Sequence, residues 1–174
     1  MGTALSTYAF INAKLRGRIS KLLDEEFFRG VARARSFVEA IAMLVGTRYE
    51  GAAEAYNRTG DVKLAELELV RAEWGALGDL ERYTPREIEP FTRAVLAEFE
   101  VETVKHALRL WFEHRVRGKR IDDKVAYLIR DEQVHDFSID ECINAGSPDE
   151  VEAALSGRPY LPVIRDRLYE VEKH

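Results

Sequence analysis

Few residues in this chain have the type and spacing for chemistry. Glu98, Glu102 and His106 recur every fourth position, so on a helix their side chains share one face. Such a carboxylate–carboxylate–imidazole column could begin a metal site, and the same spacing serves surface ion pairing. His106 and His114 are separated by two helical turns, roughly 12 Å along an axis, too far to share one ion. Glu132-x-x-His135 has the spacing used in carboxylate-bridged metal bundles, which need the motif on two helices; it occurs once here. His135 is therefore expected near a helix end, exposed to solvent or locally capped, and His174 is terminal. Cys142 follows Asp140 and Glu141, whose charges oppose a thiolate, so a buried structural thiol is expected. As the only cysteine it forms no intrachain disulfide and no metal cluster. Neither a phosphate-binding G-x-x-x-x-G-K-[S/T] loop nor the dinucleotide glycine fingerprint is present, so direct nucleotide chemistry has no sequence support. No catalytic residue, cofactor or metal ligand is assigned.

The elements that would carry these residues read as helices. Tyr8, Ile11, Leu15, Ile19, Leu22 and Leu23 define an amphipathic helix over about 5–23. Gly17 within it marks either a close helix crossing or a tolerated defect. Phe27 and Phe28 follow, beside Asp24, Glu25 and Glu26. Ser36 with Glu39 begins a second helix that Gly46 ends. A short helix over 48–58 closes at 57–60. Asp61 caps the next, which carries Leu64, Leu67, Leu69 and Val70 and fades near Gly75 to Gly78. Thr84-Pro85-Arg86-Glu87 is the strongest local start: a cap, a first-turn proline and a capping-box glutamate. The long helix then runs to about Arg117, with Gly118 as its stop and Pro90 as a kink or a delay to its start. Its core candidates are Ile88, Phe91, Val95, Phe99, Val101, Val104, Leu108, Trp111 and Phe112. A helix is expected over 121–129, a cap at Ser138 with Glu141, and a last helix from near Pro162. Paired strands joined by tight Asn-Gly or Asp-Gly turns are absent. The expected fold is all-α, a multi-helix bundle.

An internal echo organises these helices. Ser36, Glu39, Leu44, Gly46 and Tyr49 recur as Ser147, Glu150, Leu155, Gly157 and Tyr160, each 111 residues later. A short capped helix, a glycine break and a tyrosine therefore occur twice. The reading is of repeated helical units: a first over 1–118 and a partial second over 119–174.

Composition bounds what the chain can do. Its 174 residues are 46% hydrophobic and 33% charged, enough to bury a substantial core. The net charge of -5 does not favour a broad nucleic-acid surface. No apolar run is long enough to span a bilayer, and the start lacks a signal-peptide pattern. Two basic clusters remain: Lys14, Arg16, Arg18 and Lys21 on the first helix, and His114, Arg115, Arg117, Lys119 and Arg120 after the long one. Charge at a helix C-terminus opposes the dipole favourably, and docking on an acidic protein surface is the alternative use. Trp74, Trp111 and Phe112 fit core packing first and an interface second.

Several stretches resemble the C subunit family of archaeal and bacterial V/A-type rotary ATPases, related to the eukaryotic V-ATPase d subunit. They are Tyr8-x-x-x-Asn12-Ala13-Lys14-Leu15-Arg16, Leu44-x-x-Thr47-x-Tyr49, Glu66-x-x-Leu69 and Phe99-Glu100-Val101-Glu102-Thr103-Val104-Lys105-x-x-Leu108-Arg109. Thr103 stands where the family pattern often has Asn. Coverage is best over 5–117, and 120–170 resembles the start of a next repeat. The chain has about half the length that the family implies. The resemblance implies a non-catalytic coupling subunit between the central stalk and the membrane rotor ring, cytoplasmic and peripheral to the membrane, with ATP chemistry on other subunits. It implies Arg16, Lys105 and Arg109 as partner contacts, with intrachain ion pairing as their competing use. A helical adaptor outside the ATPase is the alternative function, and self-association is a further partner relation open to the chain.

Overall fold

The computed structural model describes residues 4–130 and 133–170, and no strand occurs among them. The all-α expectation is met. In chain order the helices are α1 (Ala4–Ile19), α2 (Glu25–Arg33), α3 (Phe37–Ala42), α4 (Glu50–Thr59), α5 (Val62–Glu81), α6 (Glu89–Arg115), α7 (Ile139–Asn144), α8 (Pro148–Ala154) and α9 (Leu161–Glu170). A single 3-10 turn, Val125–Tyr127, lies between α6 and α7. The chain divides into two compact units, Met1–Arg93 and Ala94–His174. In the first, Ile41, Ala52, Ala53 and Ala65 form a small core, with Leu44 and Leu69 packed against it. Alanine-rich faces let α4 and α5 approach closely. The second unit has a larger core, in which Val104, Leu110 and Trp111 of α6 meet Cys142, Val151 and Leu155.

Capping chemistry accounts for most of the short helices. The Ser36 hydroxyl accepts the Glu39 N–H at 3.2 Å, and the Glu39 carboxylate reaches back to the Arg35 N–H at 2.8 Å. Ser147 accepts the Glu150 N–H at 3.3 Å, and Glu150 returns to the Gly146 N–H at 2.7 Å. Each box satisfies donors that a helix start leaves unpaired. Both units then break at a left-handed glycine, Gly46 at φ 77° and Gly157 at φ 71°, a backbone that disfavours any side chain. The echo extends past the residues that revealed it. α4 and α9 start at positions 111 apart, and Ala34 and Ala145 end α2 and α7 in matching extended conformations. Asp61 caps α5 through the Lys63 N–H, Ser138 caps α7 through the Glu141 N–H, and Gly60 closes α4.

Several local expectations give way to tertiary packing. Thr84 does not cap the long helix. Its hydroxyl donates back to the Leu80 carbonyl, finishing α5, while residues 86–88 form a turn and α6 begins at Glu89, with Pro90 in its first turn. α1 ends at Ile19, short of Leu22 and Leu23. Gly17 faces open space, so it is a tolerated defect and no close crossing. α5 passes through Gly75 and Gly78 to Glu81, since buried Trp74 and Leu80 on the same helix outweigh roughly 1 kcal/mol of propensity per glycine. Residues 121–129 form turns and the 3-10 element in place of a helix. Ile121, Leu128 and Ile129 are buried there, a spacing that one helix face would also supply, so the apolar pattern alone does not separate the loop from a helix. On α6 the buried stripe is Leu96, Glu100, Thr103, Val104, Ala107, Leu110 and Trp111. Phe91 is 73% exposed and Val101 36% exposed, against expectation, because the stripe runs through a carboxylate and a threonine that hydropathy assigns to solvent. Trp111 and Trp74 are buried as expected, and the Trp111 indole N–H donates to the Ala145 carbonyl at 2.9 Å.

Loss of the Ser147 cap in Ser147→Ala is expected to cost about 1 kcal/mol. Ser36→Ala is expected to cost a similar amount, in keeping with the repeated geometry. Urea unfolding followed by circular dichroism would measure both, and no change in either variant would count against the capping account.

Candidate functional site

The densest polar arrangement lies in the second unit, around Glu100. α6 turns this side chain into the core, where it is 0% exposed. Burying a carboxylate without partners costs several kcal/mol. Four donors answer it. The successive backbone N–H groups of Val134 and His135 both point at Oε2, the latter at 2.9 Å, forming a small anion nest. The His135 ring approaches Oε1 through Nδ1 at 2.8 Å, and the Tyr160 hydroxyl donates to the same oxygen. An ionised carboxylate only accepts, so His135 Nδ1 carries a proton in this arrangement. The rings of His135 and Tyr160 meet edge to face with centroids 5.8 Å apart, and Phe137 packs on Tyr160. Burial, and then the Glu100 hydrogen bond, pushes the Tyr160 phenol above its ordinary range and keeps it a donor.

His135 is thus half-buried on a carboxylate, and the sequence expectation of an exposed or self-capped ring is corrected. Its partner is Glu100, from a distant helix. Glu132, the other half of the Glu-x-x-His motif, lies outside the described residues, as does His174. Glu100 entered the sequence reading only inside a family-like stretch. The signal available for it was its place on the same helical face as Leu96, Val104 and Ala107.

The other titratable candidates disperse. Glu102 pairs with Lys105 at 2.6 Å on the outer face of α6, and this hydrogen bond holds its carboxyl below the ordinary range. Burial, then nearby Arg109, pushes the His106 imidazole down. Among the described residues, no group of three or more His, Cys, Asp or Glu side chains could hold a metal ion. Cys142 is buried as expected; burial, and then Glu141, pushes its thiol up to about 11.

Of the three contact candidates, Lys105 and Arg109 lie on α6, and Arg16 is exposed on α1 in the first unit. Lys105 and Arg109 are both exposed. The rest of the α1 basic face is engaged. Arg18 binds the Ala76 carbonyl and Asp79, and Lys14 sits 3.5 Å from the centre of the Tyr83 ring. At the end of α6, the His114 ring meets the Lys119 carbonyl at 3.2 Å, and beyond the helix Arg117 lies over Phe112.

Removing the carboxylate in Glu100→Ala is expected to cost about 3 kcal/mol, because several buried donors lose their acceptor. Tyr160→Phe alone should cost about 1–2 kcal/mol, and close to nothing in the Glu100→Ala background. A double-mutant cycle by urea unfolding measures that coupling; additive effects would show that the tyrosine acts elsewhere. Cys142 should resist a thiol reagent at pH 8 and react only as the second unit unfolds. The sign follows from its raised pKa: the neutral thiol favours the fold below about 9, and that contribution fades as pH rises towards 11.

Comparison with known proteins places this architecture. Residues 11–174 match the family described as ATP synthase (C/AC39) subunit. The C subunit of the A-type ATP synthase of Methanocaldococcus jannaschii is 22% identical over 165 residues, covering 94% of this chain and 40% of that protein. The chain therefore spans well under half the length of that relative. No solved structure gives a significant match. With the family match running through both helical units, the chain belongs to the ATP synthase (C/AC39) subunit family.

Proposed function

We propose that the chain is a non-catalytic coupling subunit of a V/A-type rotary ATPase, joining the central stalk to the membrane ion-carrying ring. The observation that carries this reading is the family match over residues 11–174. In this role ATP hydrolysis or synthesis occurs on other subunits, and the helices transmit torque. That work requires stiffness more than reactive groups. The chemistry of the second unit suits it: a core anchored by a buried carboxylate, an indole hydrogen bond and paired caps resists shear better than apolar contact alone. No helix among the described residues is long and apolar enough to cross a membrane. The proposed attachment to the membrane is therefore through the ring. Partner contacts fall on Arg16, Lys105 and Arg109, whose guanidinium and ammonium groups suit acidic surfaces on stalk or ring subunits.

The test is affinity purification of the tagged chain from detergent-solubilised native membranes, with composition read by mass spectrometry. Recovery of ring and central-stalk subunits is expected. Charge reversal in Lys105→Glu with Arg109→Glu, and separately in Arg16→Glu, should lower that recovery about tenfold at physiological salt. A reproducible partner set without ring or stalk subunits would sink the coupling role and favour a helical adaptor.

A further inference from the structure

The two echoed modules differ in what covers them. In the second unit the apolar face of α7 and α8 is sealed. Ile139 is 3% exposed, Cys142 1%, and Val151 and Leu155 0%, all in one cluster with Val104, Ala107, Leu110 and Trp111 of α6. Counting back 111 residues gives Phe28, Val31, Ala40 and Leu44 in the first unit. These residues, together with Phe37 and Tyr49, line an open apolar pocket of about 380 Å³. Phe28 is 58% exposed, where its counterpart is buried. The face that receives a helix in one unit is vacant in the other.

The first unit's own leading helix does not fill it. α1 shares part of the α6 pattern, with Tyr8, Lys14 and Arg18 standing 91 residues before Phe99, Lys105 and Arg109. At the positions of Glu100 and Trp111, however, stand Ala9 on α1 and Ser20 just past its end, so α1 lacks the carboxylate and indole that fasten α6 to its module. Instead α1 is held on the far end of α5 through Arg18 and Asp79, with Phe10 and Lys14 against Tyr83. The carboxylate that α6 brings to Tyr160 is supplied to Tyr49 by the pocket wall itself, where Glu73 accepts the phenol at 3.3 Å. Glu66 also lines the pocket, and Arg48 lies over the Tyr49 ring at 5.1 Å from its centre. The wall is apolar, and the charged side chains that line it are Glu66 and Glu73.

We infer that this pocket receives an amphipathic α-helix of another protein, one whose apolar stripe is flanked by lysine or arginine. The internal counterpart sets the shape of the occupant, since a module of this build is sealed by a helix lying across it. The carboxylates set its charge, because a helix carrying acid at the flank would meet Glu66 and Glu73 with like charge. The inference does not depend on which complex supplies the helix, and it concerns a face distinct from Arg16, Lys105 and Arg109.

The probe is a labelled synthetic helix of leucine and lysine, about 18 residues long, with leucine at i, i+3, i+4 and i+7. Its partner probe replaces every lysine by glutamate. Fluorescence anisotropy against the full chain at physiological salt should show saturable binding of the lysine helix and about tenfold weaker binding of the glutamate helix. Phe28→Asp should weaken the lysine helix about tenfold, although it adds negative charge that would strengthen any merely electrostatic attraction. Glu66→Lys with Glu73→Lys should reverse the preference between the probes. Phe28, Glu66 and Glu73 are exposed, so Phe28→Asp should keep the wild-type circular dichroism and melting temperature, and the double variant, which gives up the Tyr49 hydrogen bond to Glu73, should keep the wild-type circular dichroism; both are checked first. Absence of binding, equal binding of both probes, or affinity unchanged in Phe28→Asp would overturn the inference. So would a concentration-dependent dimer that Phe28→Asp dissociates, since the occupant would then be a second copy of this chain.

Discussion

A carboxylate shut away from water must be met by donors or give up its charge, and much of the second unit is arranged to meet Glu100. Two successive backbone amides, an imidazole N–H and a phenol converge on it from residues 134, 135 and 160. Those donors come from an irregular segment and from the turn before α9, whose Phe137 and Tyr160 also pack against the core. The carboxylate thereby adds a directional anchor on α6 to segments that have no regular backbone hydrogen bonding of their own. A buried polar cluster of this kind is poor evidence for added stability when compared with an apolar core of the same shape. Its value is geometric: only one placement of residues 133–138 and Tyr160 satisfies all the donors at once.

The repeat shows how one local design is completed in two ways. Both modules carry a serine–glutamate box, a left-handed glycine and a tyrosine. In the second unit the tyrosine reaches a buried carboxylate on the helix that precedes the module. In the first it reaches Glu73 at the surface of the helix that follows. Local hydrogen bonding is shared by the modules because it depends on neighbours a few residues apart. The covering helix is not, because it depends on which side chains α1 and α6 offer. In the proposed coupling role, this asymmetry would leave one unit with a sealed core and the other with an open apolar face.

Several features were legible without coordinates because their causes are local. Ser36, Ser147, Asp61 and Ser138 all cap the helices expected of them, and Gly46, Gly60, Gly118 and Gly157 all adopt positive φ. Thr84 misled because the same hydroxyl can serve the helix behind it as readily as the one ahead, and Leu80 won. Residues 121–129 misled because their apolar spacing fits both a helix and a loop pinned at Ile121, Leu128 and Ile129. Phe91 and Val101 were assigned to the core by hydropathy alone, and the face that packs instead carries Glu100 and Thr103.

The sequence by itself determined the helical class, the positions of the caps and breaks, the doubled module and the buried state of Cys142 and the tryptophans. Each of these follows from side-chain chemistry within a turn or two of backbone, or from apolar area that must leave water. Only the tertiary structure decided that Glu100 is a core residue, that His135 is its partner and that Phe28 faces an open pocket. Those outcomes rest on contacts between residues far apart in the chain, where the donors that make a carboxylate tolerable, or the helix that makes a phenylalanine dry, leave no mark in the local pattern.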